Sequence, residues 1–179
     1  MNRVLTMACV VAVAAFAQAG TAAAADAKVE LKGVHMCCGG CAEEVEAILG
    51  KVEGVTAVAT DKKAKSAAFT AADAKSAQKA LDALAAGGFH GDPGKDKGYD
   101  FKDDSGAKAG KVKSLTVTGF HNSCGGCVKS FKEAIKDVKG VTGVSAKSKV
   151  SSAEVTGEFD AAEVVKALNK AGFHVKVKM

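Results

Sequence analysis

The sequence contains no tryptophan, one tyrosine and one proline, and its only arginine is Arg3. Nucleic-acid sites depend on arginine side chains and on aromatic rings that stack against bases, so this composition argues against a nucleic-acid partner. The positive charge comes almost wholly from lysine, with a formal net charge of +5, and such lysines typically keep exposed faces soluble. No apolar run reaches the ~20 residues that a membrane-spanning helix needs, so no stable membrane insertion is expected.

The N-terminus has the pattern of a secretory signal peptide. Arg3 is followed by the apolar run 4–16 and then by small residues that end at Ala25. A short positive region, an apolar region and a small-residue cleavage site are the marks of such a peptide. We therefore expect cleavage after Ala25, loss of Cys9 with the leader, and an exported, periplasmic or secreted product.

The remaining cysteines belong to a repeat. His35-Met36-Cys37-Cys38-Gly39-Gly40-Cys41 returns 86 residues later as His121-Asn122-Ser123-Cys124-Gly125-Gly126-Cys127, and both copies contain His-x-x-Cys-Gly-Gly-Cys. At an offset of 84 residues, Gly88-Phe89-His90 returns as Gly172-Phe173-His174. Self-similarity at a fixed spacing indicates an internal duplication.

Hydrophobic periodicity predicts the same element order, β-α-β-β-α-β, in both copies. The elements predicted in the first copy are strand 28–34, helix 42–52, strands 55–60 and 67–70, a helix capped by Asp73, and a strand that begins at Phe89 and is cut short by 91–94. Those of the second are strand 113–120, helix 128–138, strands 142–147 and 153–156, a helix capped by Asp160, and strand 173–179. The complete final strand predicts that the second copy is the more stable.

These elements predict a division of the chain into four segments. They are a signal peptide at 1–25, a first domain at 26–91, a linker at 92–110 and a second domain at 111–179. The linker is rich in glycine, aspartate and lysine, which predicts an exposed and mobile segment. Tyr99 and Phe101 are its large apolar groups and are the residues that could attach it to a domain.

The chemistry predicted for the repeats rests on two Cys-x-x-Cys pairs. Cys38 with Cys41, and Cys124 with Cys127, stand where a strand meets the N-terminus of a helix. Free backbone N–H groups and the helix dipole favour the thiolate there. Two soft sulfur ligands suit Cu(I) first, then Zn(II), Hg(II) and similar ions.

Other side chains near these pairs are further candidates. His35 and His121 precede the first cysteine of each pair by three residues, and as ligands they would favour Zn(II) or three-coordinate Cu(I) over linear copper. The alternatives are that they orient the loop or are solvated. For His90 and His174 we favour a solvated or supporting role. We expect the Cys37 side chain to point away from Cys38 and not to be a primary ligand, with a disulfide or metal exchange left open.

The motifs Met36-x-Cys38-x-x-Cys41, Gly54-Val55-x-x-Val58 and Gly88-Phe89 resemble the heavy-metal-associated (HMA) domains of copper chaperones, copper-ATPase tails and the periplasmic mercury-binding protein. The resemblance implies an α+β architecture of two tandem ferredoxin-like βαββαβ domains. It also implies a surface metal site whose ligands are Cys38 with Cys41, and Cys124 with Cys127. The second copy departs from the family pattern at Asn122, where a methionine is usual, and the family has no standard counterpart of Cys37.

The sequence therefore predicts an exported, non-enzymatic protein that binds, buffers or transfers a soft metal, with Cu(I) as the first choice and Zn(II) next. A protein that donates or accepts the metal is an expected partner, and dimerisation through the cysteine loops remains open. One alternative is a thiol-disulfide redox protein, although the tryptophan and facing proline of thioredoxin-like enzymes are missing. Another is an interaction module whose cysteines form disulfides and bind no metal.

Overall fold

The structure is a computed structural model that describes residues 26–178, so the predicted signal peptide and Cys9 lie outside the described residues. The first repeat contains β1 (Ala27–Lys32), α1 (Gly39–Leu49), β2 (Val55–Asp61), β3 (Ser66–Ala71) and α2 (Ala74–Ala86). The second contains β4 (Lys111–Thr118), α3 (Gly125–Ile135), β5 (Val141–Val144), β6 (Ser152–Asp160), α4 (Ala161–Lys170) and β7 (Lys176–Lys178). None of the helices in this part of the chain is long and apolar enough to cross a membrane.

The two sheets share one antiparallel topology. The first has the order β1-β3-β2 and the second the order β5-β6-β4-β7, which is the ferredoxin-like arrangement with the fourth strand present only in the second repeat. In the first repeat that strand is reduced to a single bridge between Lys32 and Asp92, as the glycines and proline of 91–94 predicted. The two α+β units confirm the fold expected from the sequence.

The last strand of the second repeat is shorter than predicted. It begins at Lys176 rather than Phe173 and pairs with β4 from Thr116 to Thr118. Phe173 instead forms an isolated antiparallel bridge with Phe89 of the first repeat. The backbone at Phe173 therefore contributes to contact between the repeats and not to its own sheet.

Each repeat has its own hydrophobic core between the sheet and its two helices. Alternate residues of the strands and one face of each helix supply the buried side chains, which include Leu31, Phe69, Leu81 and Leu84 in the first core and Leu115, Phe131, Ile135 and Leu168 in the second. Full burial of one such side chain stabilises the fold by roughly 1.5–3 kcal/mol. The cores hold each helix N-terminus, and with it each cysteine pair, in a fixed place.

In each repeat, one aspartate is the N-cap of the second helix, as predicted. Asp73 Oδ1 accepts a hydrogen bond of 2.6 Å from the backbone N–H of Ser76. Asp160 Oδ1 accepts one of 2.9 Å from the N–H of Ala162. Both bonds satisfy donors that the first turn of a helix would otherwise leave without a partner.

The repeats dock through their matching Gly-Phe-His segments. Besides the bridge between Phe89 and Phe173, the N–H of His90 donates to the carbonyl of Gly172 at 2.9 Å. In the second repeat, the N–H of His174 donates to the carbonyl of Gly88 at 3.0 Å. This reciprocal bonding places the two cysteine loops side by side.

The segment 92–110 is largely exposed, as predicted, but it is attached to both repeats. Tyr99 is buried against the first core, and the N–H of Asp100 donates to Gln78 Oε1 at 3.1 Å. Further along, the carbonyl of Ser105 accepts a bond of 2.8 Å from the N–H of Val177. The segment therefore follows the surface of the molecule and does not hang free between the repeats.

Candidate metal centre

The cysteine pairs occupy equivalent positions at the start of α1 and α3. Cys38 and Cys124 are the N-cap residues, both with extended backbones, and neither side chain caps its helix. Cys41 and Cys127 follow in the first helical turn and are buried. Each pair therefore has one sulfur near the surface and one beneath it, at the positive end of a helix dipole.

The two pairs form one cluster, not two separate ones. Within the loops, Sγ atoms are 3.5 Å apart for Cys38 and Cys41 and 3.8 Å apart for Cys124 and Cys127. Between the loops, Cys41 and Cys127 are 3.9 Å apart, and so are Cys38 and Cys124. The four sulfurs thus form a closed ring in which alternate sides cross from one repeat to the other.

Cys37, whose side chain the sequence predicts to point away from Cys38, lies against this ring and contacts sulfurs of both repeats. Its Sγ is 3.6 Å from Cys41, 3.6 Å from Cys124 and 3.5 Å from Cys127. The reason is the docking of the repeats, because two of these three neighbours belong to the other repeat. The one feature of the sequence that indicates this position of Cys37 is that three cysteines occur within the five residues 37–41.

The spacing of the sulfurs fits a metal bound by three or four thiolates. A metal–sulfur bond of about 2.3 Å, the zinc value, places tetrahedral ligands roughly 3.8 Å apart and trigonal ligands roughly 4.0 Å apart. A linear pair with the same bond would be about 4.6 Å apart. Contacts of 3.5–3.9 Å among Cys37, Cys41 and Cys127 match the first two geometries.

His35 is the histidine that the structure brings to the sulfurs. One of its ring nitrogens lies within 4.8 Å of the sulfurs of Cys37, Cys41 and Cys127. The residue is 3% exposed, and its Nε2 is buried without a hydrogen-bond partner. Burial, with the nearby charges of His121 and Lys65, lowers its pKa to about 4. The imidazole is therefore neutral at pH 7, and a buried nitrogen without a partner is a fitting ligand for a metal ion.

His121, the matching residue in sequence, does not join the grouped metal-ligating atoms of the described residues. Its ring stacks on Phe89 with centroids 4.3 Å apart, and its Nε2 lies 3.1 Å from Ser123 Oγ. Burial lowers the pKa of His121 as well. The two histidines of the repeated motif thus occupy different environments.

His90 and His174 contact each other instead of the cysteines. Their Nδ1 atoms are 3.3 Å apart, and His174 Nε2 is 2.7 Å from Asp104 Oδ1. His174 is buried, and Phe101 lies beside the His90 ring. The pair forms a polar contact between the repeats, and the supporting role favoured for these two histidines stays a prediction.

The thiols differ in how readily they ionise. Hydrogen bonding from the Cys127 backbone N–H lowers the pKa of Cys124 to about 7. Burial raises the pKa of Cys41 to about 11 and raises that of Cys37 even further. Cys124 thus supplies a thiolate near neutral pH for an incoming cation, while buried thiols lose their protons when a bound cation replaces them.

The missing methionine of the second copy is replaced by hydrogen bonds. Met36, which precedes Cys37 in the first loop, is buried in the first core. At the equivalent position, the Nδ2 of Asn122 donates to the carbonyls of Lys147 and Val150 at 2.7 and 2.8 Å. Apolar packing supports one loop and polar contacts support the other.

Two ferredoxin-like units, each with a Cys-x-x-Cys pair at the start of its first helix, define a tandem metal-binding module. The family model of the heavy-metal-associated domain matches residues 31–90 and 123–174. These matches cover more than half of the chain, which therefore belongs to the heavy-metal-associated domain family and is a heavy-metal-binding protein.

Two solved structures from Bacillus subtilis are similar to the chain. One is the solution structure of the N-terminal soluble domains of CopA, with 16% identity, coverage of 87% of this chain and 95% of that chain, and a TM-score of 0.30. The other is the water-soluble region of the P-type ATPase CopA, with 18% identity, coverage of 87% and 93%, and a TM-score of 0.30. No curated protein matches the chain.

Proposed function

We propose that this protein is exported and binds Cu(I) at a thiolate cluster built by both repeats, so as to buffer the ion or pass it to another protein. The observation that carries the proposal is the cluster itself, in which all five cysteines of the described chain are free and each lies within 3.5–3.9 Å of at least two others. Five sulfurs without a disulfide form a donor set that favours a soft monovalent ion. The role is binding and transfer, not catalysis.

Transfer would begin at the exposed side of the cluster. Cys38 and Cys124 are partly exposed, whereas Cys41 and Cys127 are buried. The low pKa of Cys124 supplies a thiolate near neutral pH. A thiol of a donor or acceptor protein can therefore exchange with the outer sulfurs while the inner ones hold the ion.

Zn(II) is the second candidate, and one observation favours it. His35 with Cys37, Cys41 and Cys127 forms a set of three sulfurs and one nitrogen. Three cysteines and one histidine are a common tetrahedral zinc set. A protein that selects zinc would depend on His35, whereas a copper site made of sulfur alone would not.

The experiment is a metal titration of reduced protein, residues 26–179, under anaerobic conditions against competing Cu(I) and Zn(II) chelators. We expect tight Cu(I) binding, with fewer ions bound tightly by Cys38→Ser and by Cys124→Ser than by the wild-type protein. His35→Ala, with His121→Ala as its matched control, reports on zinc, since only His35 lies with the sulfurs. Failure of the wild-type protein to compete for Cu(I) would overturn the proposal, and tight zinc binding that is lost only in His35→Ala would replace copper with zinc.

Export rests on the pattern of residues 1–25 and has its own test. Expression of the full chain in a bacterium with a periplasm should give a secreted or periplasmic product whose mass corresponds to a first residue of Asp26. A cytoplasmic product that retains Met1 would contradict this part of the proposal.

A further inference from the structure

Cys37 has no sulfur counterpart in the second repeat. The residue 86 positions later is Ser123, whose Oγ lies 4.0 Å from Cys41 Sγ and 3.7 Å from Cys127 Sγ. At this one position, the first loop therefore presents a sulfur to the cluster and the second loop presents a hydroxyl. Because soft ions prefer sulfur to oxygen, only Cys37 adds a ligand, and the cluster has five sulfurs.

The five sulfurs divide into two sets of three that share Cys37. One set is Cys37, Cys38 and Cys124, and the other is Cys37, Cys41 and Cys127 with His35 beside it. In both sets the sulfurs lie within 4.8 Å of one another. Apart from Cys37, each set takes one sulfur from each repeat, so neither set corresponds to a Cys-x-x-Cys pair.

We infer that Cys37 is a bridging ligand and that the repeats form a single site for two soft metal ions, each held by one thiolate of each repeat together with Cys37. This inference rests on the proposed function and specifies its ligands. A thiolate sulfur has more than one lone pair and can contact two ions. Each thiol that binds releases its proton to solvent.

The packing around Cys37 leaves room for this role. A Cβ atom added at Gly126 would lie 3.0 Å from Cys37 Sγ and 3.4 Å from Cys124 Sγ, whereas one added at Gly125 would meet no atom within 4 Å. Both glycines lie in the first turn of α3. The lack of a side chain at Gly126 therefore lets Cys37 enter the second repeat's loop.

A site bridged by Cys37 and two independent Cys-x-x-Cys sites predict different Cu(I) binding for one double variant. Cys38→Ser/Cys124→Ser breaks both Cys-x-x-Cys pairs but leaves Cys37, Cys41 and Cys127 intact. We expect this variant to bind one Cu(I) with an affinity within roughly tenfold of the wild-type protein. Adding Cys37→Ser should lower that affinity by roughly 100-fold or more, since loss of an outer-shell contact alone costs 10–100-fold.

The matched control is Cys38→Ser/Cys41→Ser, which also removes two thiols but keeps the second Cys-x-x-Cys pair whole. Anaerobic Cu(I) titration against a competing chelator measures all variants, with circular dichroism to show that each one is folded. If the control binds one ion and Cys38→Ser/Cys124→Ser binds none, the loops act separately and the inference is wrong. If the wild-type protein itself binds no Cu(I), the proposed function is wrong, and the bridging inference is wrong with it.

A second set of variants tests the bridge without removing any sulfur. Gly126→Ala should lower the affinity for the second Cu(I) by roughly tenfold or more by displacing Cys37, while Gly125→Ala should leave it unchanged. Equal affinities in these two variants would contradict the placement of Cys37 at the centre of the site.

Discussion

The backbone of Phe89 pairs with that of Phe173, its own counterpart in the other repeat. Their rings lie against the histidines of the opposite cysteine loops, with Phe173 stacked on His35 at 4.1 Å and Phe89 on His121 at 4.3 Å. Residues that are equivalent in the duplication therefore meet at the interface. The consequence is that both cysteine loops are held at one place, where their sulfurs touch.

The first prediction concerns the glycine that allows this docking. Gly172 has a φ of +88°, and an added Cβ would lie 2.2 Å from the backbone N of His35 and 2.4 Å from the carbonyl O of Gly33. We expect Gly172→Ala to lower the free energy of unfolding by about 3 kcal/mol, because a backbone clash adds to the cost of a left-handed alanine. Chemical denaturation measures the loss, and backbone NMR shifts at His35 report separation of the repeats.

The control for this variant is Gly98→Ala. Gly98 has a similar φ of +75° but no atom within 4 Å of an added Cβ, so it carries the conformational cost without the clash. We expect a loss of about 1 kcal/mol and unchanged shifts at His35. Equal losses in the two variants would show that Gly172 matters only to its own backbone.

Much of the fold could be predicted because local pattern determines it. The alternation in β1 and the apolar face of α3 each follow from one short stretch of sequence, and the Asp73 and Asp160 caps do as well. The predicted final strand is too long because Phe173 pairs with Phe89 of the other repeat. The sequence around Phe173 contains no sign of this pairing.

The site was predictable in composition but not in arrangement. The sequence indicates which cysteines belong to each loop, but the docking of one repeat on the other decides which sulfurs meet. The sequence does not indicate the contacts of Cys37, because its neighbours Cys124 and Cys127 are supplied by the second repeat. The difference between His35 and His121 has the same origin, since the two loops are alike in sequence but not in their surroundings.

The second prediction is a loss of stability in mild acid in the metal-free protein. Burial and the neighbouring His174 lower the pKa of His90 to about 4, although Asp100 and Asp92 oppose the shift. Since the folded pKa lies below the unfolded value of 6.5, the unfolded chain binds more protons between the two. Stability should therefore be complete above about pH 6.5 and fall as the pH drops towards 4, by about 3 kcal/mol for His90 at most.

His35, whose pKa is also lowered to about 4, should contribute in the same direction. Denaturant unfolding at a series of pH values measures the slope, and His90→Gln, which cannot titrate, should reduce it. A stability that is level from pH 7 to pH 4.5 would contradict the neutral, buried state of these histidines.

The third prediction compares the two supports beneath the cysteine loops. Asn122→Ala removes two partly buried hydrogen bonds and leaves the carbonyls of Lys147 and Val150 without that donor. We expect a loss of about 2–3 kcal/mol in the free energy of unfolding. Met36→Leu, which keeps apolar volume at the equivalent position, should cost less than about 1.5 kcal/mol. A loss in Asn122→Ala no larger than that in Met36→Leu would show that the two hydrogen bonds of Asn122 contribute little to stability.

The fourth prediction concerns oxidation of the cluster. The sulfurs are 3.5–3.9 Å apart and a disulfide bond is about 2.05 Å long, so diamide should oxidise neighbouring pairs with the loss of two hydrogens for each bond. Five cysteines are present in the described chain, so complete oxidation within one molecule should leave one thiol. The oxidised protein should no longer bind Cu(I).

Bound Cu(I) should protect the same thiols, which alkylation followed by mass spectrometry can count. We expect Cys124, which is partly exposed and whose pKa is lowered to about 7, to be alkylated rapidly in the reduced, metal-free protein and slowly in the loaded protein. Alkylation of all five thiols at the same rate in both forms would show that the cysteines do not hold the metal.

The most direct test of the shared site is X-ray absorption at the copper edge, on reduced protein loaded with two equivalents of Cu(I). Copper with three sulfur neighbours and a second copper at short range is the result expected when Cys37 bridges the two loops. Copper with two sulfur neighbours and no nearby copper, unchanged in Cys37→Ser, would show that each Cys-x-x-Cys pair binds its own ion and would contradict the account.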